Sequence, residues 1–209
     1  MKIYGISGLG ADKRVFEKLT LDLELIPIDW IPPYKNEKIE DYANRLSEII
    51  DKNEEFIILG VSFGGLIATE ISKISKPRLT ILISSAETKN DLRFIYRTFS
   101  KTNLINFVPK KAFDFPRAIA SFLFRTEEKE LLSKILDDTD LDFTKWAVKE
   151  LINWKNETEI LNCIKINGDN DKLIPASKDE KTILIKGGGH FMIVDKAKEI
   201  SEIINDKIK

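Results

Sequence analysis

Six short aliphatic runs, KIYGIS, LELIPI, EFIILGV, LTILISS, CIKING and TILIKG, punctuate this chain. They are nearly continuous in Ile, Leu and Val instead of alternating with polar residues. Strands of that kind need cover on both faces. Between them lie stretches with apolar residues at helical spacing, about Ile39 to Ile50, Phe63 to Ile74 and Lys196 to Ile208, which can supply the covering layers. The pattern predicts an α/β protein: a three-layer α/β/α sandwich around a mostly parallel sheet of about six strands.

The alternation breaks once. Roughly 75 residues separate the fourth run from the fifth, where a single crossover helix uses about 10 to 15. Residues 87–141 therefore read as an insertion within one domain spanning 1–209. Seven of the chain's twelve phenylalanines fall in it, and its helical text is interrupted at Pro109 and Pro116. Such a cluster reads first as the insertion's own core and second as the wall of a pocket. Downstream, FTKWAVKELINW brings Phe143, Trp146, Glu150 and Trp154 together on one helical face, with Ala147 and Leu151 beside them, as in an ordinary crossover helix.

Composition excludes several classes of partner. The 33 Lys and Arg nearly balance 34 Asp and Glu, so no global field draws nucleic acid or an anionic membrane, and neither is expected as a partner. The lone Cys163 has no disulfide mate and no zinc-type neighbours, so it reads as a small apolar residue. The start MKIYGISGLG is too short and too broken by glycine for a signal peptide. The longest apolar run, Phe56 to Ala68, falls short of the ~18 residues a membrane span requires. A cytoplasmic protein is the expectation.

In an open parallel sheet, chemistry gathers at the carboxyl ends of the strands. The third run ends LGVSFGG, placing Ser62 between Gly60 and Gly64 in the pattern G-x-S-x-G. A strand that turns into a helix within one residue leaves no room for side chains at the flanking positions, and it projects the serine above the sheet. The Phe63 amide would then open a helix and be free to donate to an oxyanion. The competing reading is a tight turn with a capping serine. The first run ends ISGLGAD, where the Leu9 amide between two glycines could supply a second donor, or the glycines could serve only a turn. The fifth ends INGDNDKLIP; either Asp169 or Asp171 could orient an imidazole, and both could instead close turns. The sixth ends IKGGGHFMIVD and carries His190, the only histidine, whose ordinary pKa suits it to take and return a proton at neutral pH.

Taken together, these residues resemble the α/β-hydrolase superfamily, in the order Ser62, acid, His190 and over nearly the whole chain. The resemblance implies an acid loop of the form G-x-x-D-x-x-x-P. Gly168, Asp171 and Pro175 match it and select Asp171 over Asp169. The chain departs from the family in two places: Ser7-Gly8 stands where most members have His-Gly, and the first run corresponds to the family's third strand, as in a minimal version. The insertion lies where the family carries its cap, so Phe94 to Leu136 is expected to form a helical lid.

The implied activity is hydrolysis of a carboxylic ester with a small to medium, apolar acyl group. Ser62, Asp171 and His190 would form the catalytic triad, and Phe63 and Leu9 the oxyanion hole. No metal or organic cofactor is required. Thioester cleavage, lyase chemistry on the same triad, or slow or non-catalytic ligand binding are the alternatives that this fold also accommodates.

Overall fold

A computed structural model describes residues 1–99, 104–114 and 116–209. Six strands, β1 (Lys2–Ile6), β2 (Leu25–Ile28), β3 (Phe56–Val61), β4 (Leu79–Ile83), β5 (Cys163–Gly168) and β6 (Thr182–Ile185), form one sheet in the order β2-β1-β3-β4-β5-β6. Every neighbouring pair is parallel. The helices are α1 (Ile39–Leu46), α2 (Phe63–Ser75), α3 (Phe94–Phe99), α4 (Arg117–Phe124), α5 (Lys129–Asp137), α6 (Leu141–Asn153), α7 (Met192–Asp195) and α8 (Ala197–Lys207).

Two apolar layers sandwich the sheet. On one face Tyr4, Ile58 and Leu82 pack with Tyr42 and Leu46 of α1, Leu66 and Ile67 of α2, and Phe143 and Ala147 of α6. On the other face Ile57, Leu59 and Ile81 pack with Ile193 and Val194 of α7 and Ile200 and Ile204 of α8. All six residues of β3 are buried, whereas the edge strands β2 and β6 are only partly covered. This explains the continuous aliphatic text of the central strands. Pro27 is tolerated because β2 lies at an edge, where one side of the strand has no ladder to feed.

Two local expectations are corrected. The helix expected to run to Ile50 leaves α geometry at Leu46 and finishes as a 3₁₀ turn, Ser47–Ile49. There the Ser47 hydroxyl donates to the Asn44 carbonyl at 2.7 Å and competes with the regular ladder. Outside the stretches expected to be helical, the connection from β1 to β2 carries a 3₁₀ turn, Lys13–Phe16, and that from β5 to β6 carries no helix. Finally, the insertion's phenylalanines whose side chains are described do not gather into one core: Phe94, Phe107 and Phe122 are 71, 84 and 65% exposed, Phe113 is buried, and Phe124 is partly buried against the cluster that holds Ile193 and Ile200. Helices as short as α3 and α4 cover too little area to enclose a core of their own. Phe115 and the Phe99 side chain lie outside what is described.

The interruptions at Pro109 and Pro116 do occur. Pro109 precedes the 3₁₀ turn Lys110–Phe113, and Pro116 immediately precedes α4. Helix α6 buries Phe143, Ala147 and Glu150 on one face, and Trp154 follows at its end. Cys163 is buried and reduced, and burial pushes its thiol up to about 12.

Sheet register brings the candidate chemistry to one rim. Val61 pairs with Ile83, Ile83 with Ile166 and Gly168 with Ile185. The loops that follow β3, β5 and β6 therefore emerge side by side. The chain reverses its direction of travel across the sheet between β1 and β3, and the crevice of such a fold opens where the loops after those two strands part.

Candidate active site

Ser62 is the single residue between β3 and α2, and it adopts φ 53° and ψ −121°. An L-residue with positive φ is strained, so packing must hold it there. Three glycines make that packing possible. A Cβ on Gly60 would lie 2.5 Å from the Gly64 carbonyl oxygen and the Gly65 Cα. One on Gly64 would strike the Ser7 carbonyl oxygen, and one on Gly65 would collide with Ser85. The Ser85 hydroxyl donates to the Ser62 carbonyl at 2.6 Å and anchors the turn from β4. Gly65 and Ser85 were not singled out in the sequence, although the second glycine of SFGG is a visible sign of crowding beyond the G-x-S-x-G pattern.

The Ser62 side chain makes no capping hydrogen bond to α2. Its Oγ instead lies 2.8 Å from His190 Nε2. His190 Nδ1 lies 2.8 Å from Asp171 Oδ2, and the other carboxylate oxygen accepts from the amides of Leu173 and Ile174 at 2.8 and 2.9 Å. Asp171 and His190 are 6 and 4% exposed. A buried carboxylate is expensive unless its lone pairs are satisfied, and here two amides and an imidazole N–H satisfy them. With Nδ1 donating to Asp171, Nε2 is left as the acceptor facing the serine hydroxyl. Asp169 has a different task. Its Oδ1 accepts from the Gly187 amide at 2.7 Å and closes the turn after β6.

The glycines before His190 allow close approach. Gly187 has φ 73°, a Cβ on Gly188 would lie 2.9 Å from Gly168 Cα, and one on Gly189 would lie 2.6 Å from the Arg125 carbonyl oxygen. The insertion thus reaches the histidine loop. Phe124 stands edge-on to the His190 ring at 5.4 Å, and its carbonyl accepts from the Phe191 amide at 3.2 Å. At the acid loop, Arg93 Nη2 donates to the Asp171 carbonyl at 3.4 Å and the Tyr96 hydroxyl to the Leu173 carbonyl at 3.3 Å. Neither Phe124 nor these α3 contacts could be read from spacing, since the residues are far apart in sequence.

Phe63 begins α2, where the first amides of a helix lack internal acceptors. The loop carrying Leu9 is tightly pinned. Gly10 has φ 70°, the Ser7 hydroxyl donates to the Ala11 carbonyl at 2.8 Å, and Trp30 Nε1 donates to the same carbonyl at 3.0 Å. A Cβ on Gly8 would sit 3.4 Å from Ser62 Cβ, so this loop abuts the serine. Ser7 therefore closes its own loop. A cavity of about 180 Å³ borders this loop, lined in part by Gly10, Trp30, Ile31, Thr139 and Phe143. Among the described residues, no cluster of His, Cys, Asp and Glu is gathered as a metal site, and no helix is long and apolar enough to cross a membrane.

No protein-family model and no curated protein sequence matches this chain. Solved structures do. A thermophilic esterase superposes with a TM-score of 0.70 at 18% identity, covering 98% of this chain and 88% of its own. A hydrolase from Pseudomonas aeruginosa PA01 gives 0.73 at 13% identity over 99% and 89%, and a lipase-esterase related protein from Clostridium acetobutylicum ATCC 824 gives 0.67 at 17% over 98% and 93%. With its parallel six-stranded sheet covered by helices on both faces, the chain has the α/β-hydrolase fold.

Proposed function

We propose that this protein is a serine hydrolase that cleaves carboxylic esters through an acyl-enzyme. The observation that carries the reading is the unbroken chain of 2.8 Å contacts from Ser62 Oγ through the His190 ring to Asp171 Oδ2, starting from a serine held at positive φ. His190 Nε2 takes the hydroxyl proton as Ser62 Oγ attacks the carbonyl carbon. Asp171 keeps the proton on Nδ1 and offsets the imidazolium charge. The amides of Phe63 and Leu9 receive the oxyanion, and His190 returns the proton to the departing alcohol. Water, deprotonated by the same nitrogen, then releases the acid.

Residues 87–141 act as a lid in this reading. Its support is that α3 touches the acid loop while the end of α4 touches the histidine loop, so the insertion spans both. The small cavity beside Gly10, with Trp30, Ile31 and Phe143 on its walls, suits a short apolar portion of the substrate. Phe124 adds an apolar ring from the insertion beside His190.

The test is labelling of the purified protein with a fluorophosphonate, followed by turnover of short p-nitrophenyl esters and matched thioesters. Ser62 is the expected adduct site, and Ser62→Ala should lose both adduct and turnover. Absence of labelling together with inert esters would reject the reading. Faster thioester than ester turnover would keep the triad and change the substrate.

A further inference from the structure

The near-zero net charge conceals an uneven distribution. Across residues 92–125 the sequence has seven Lys and Arg against one acidic residue, Asp114, while the whole chain is at −1. Three cations are brought beside the triad by different elements. Arg93 precedes α3 and donates to the Asp171 backbone; Lys172 follows Asp171 directly; Arg125 ends α4, with its backbone against Gly189. The Lys172 ammonium sits 3.1 Å above the Phe122 ring, a contact that does not neutralise it. Among the described residues, none of the three is paired with a carboxylate. Lys172 is held below the ordinary lysine range, by lost hydration and then by the Arg125 charge. Like charges gathered without a counter-ion cost free energy that a bound anion would recover.

The opposite side of the site has the other sign. The cavity beside the Leu9 loop carries Asp12, Asp138 and Asp140 on its rim, where Arg14 pairs with the first two. This polarity would orient a negatively charged substrate with its anion toward the acid and histidine loops and its neutral end toward Gly10 and Trp30.

We propose that the substrate is an ester bearing an anionic oxygen group, carboxylate or phosphate, received by Arg93, Arg125 and Lys172 beside the acid and histidine loops. The inference rests on the hydrolase reading above and adds the substrate class. The three side chains are binding residues and take no part in proton transfer.

Matched esters test it. p-Nitrophenyl hexanoate is compared with the same chain ending in carboxylate (the adipate hemiester) or in phosphate, and phenyl hexanoate with 4-carboxyphenyl hexanoate for an anion on the alcohol side. The expected result is a kcat/KM preference of about tenfold for an anionic member in at least one pair, expressed in KM and eroded by salt. The larger of the carboxylate and phosphate preferences names the group. Lys172→Gln and Arg125→Gln should each lower the anionic-to-neutral ratio about threefold or more, and Lys172→Glu should lower it further. A neutral ester preferred in every pair, or a ratio that none of these variants moves, overturns the proposal while leaving the hydrolase reading intact. If every ester is inert and Ser62 takes no probe, the hydrolase reading fails by itself. Binding then decides this proposal: adipic monoamide should raise the Tm of the full chain where hexanamide does not, and equal or absent shifts overturn it.

Discussion

The Ser85 hydroxyl donates to the Ser62 carbonyl oxygen at 2.6 Å, across a gap that only the missing side chain of Gly65 leaves open. This contact fixes the backbone of the strained serine from the neighbouring strand. Ser85→Ala should cost about 1 kcal/mol of stability and lower kcat more than it raises KM, because the turn loses its anchor. Gly65→Ala should cost more, since its Cβ would lie 2.4 Å from Ser85 Cβ and within the Ser85 hydroxyl. Denaturant melts and steady-state kinetics of both variants measure these outcomes. A Gly65→Ala protein as stable and active as the parent would contradict the packing described.

Asp171 offers one oxygen to His190 and the other to the amides of Leu173 and Ile174. Asp171→Asn can keep the second set of contacts while presenting an N–H to Nδ1, which forces the proton onto Nε2. The expected loss is about 10³ to 10⁴ in kcat with little change in Tm. A variant within tenfold of the parent would show that another group orients His190.

Gly189 lies between the catalytic candidate and the end of α4, with the carbonyls of Arg125 and Phe124 at 2.6 and 2.9 Å from any Cβ placed there. Backbone atoms cannot step aside as a flexible side chain can. Gly189→Ala should therefore displace the His190 loop or the α4 terminus, lowering kcat about 10- to 100-fold. Hydrogen exchange at α4 and at residues 186–191 would report the displacement directly; unchanged exchange with full activity would refute it.

Glu150 is buried on α6 and accepts from the Ile39 amide at 3.1 Å, extending a partner to the start of α1. Burial raises its carboxyl above the ordinary glutamate range, against the opposing pull of Lys38 and of the Ile39 hydrogen bond. The folded state thus holds this proton more tightly than the unfolded one. Glu150 contributes most below its unfolded value near 4.5, and that contribution is lost as pH rises through the raised folded value. Glu150→Gln removes the titration. Its Tm relative to the parent should be higher at pH 7 than at pH 4, by a few degrees. A relative Tm that falls over that interval would reverse the assignment.

Much of this protein was determined locally. The unbroken Ile, Leu and Val text of the central strands already demanded two covering layers, because strands buried on both faces cannot alternate in polarity. The glycines around Ser62 and before His190 were equally legible, since a missing side chain records where backbone must approach backbone. What sequence could not settle from the residues alone was the choice between Asp169 and Asp171. Both sit two residues apart in one loop, and only the turn closed by Gly187 sends one to a backbone amide and the other to the imidazole. Likewise, Phe124 against His190, Ser85 beneath Ser62 and the grouping of Arg93, Arg125 and Lys172 depend on which loops the sheet register brings to one rim. Periodicity reports the burial of an element's own face; it carries no record of which distant element meets that face.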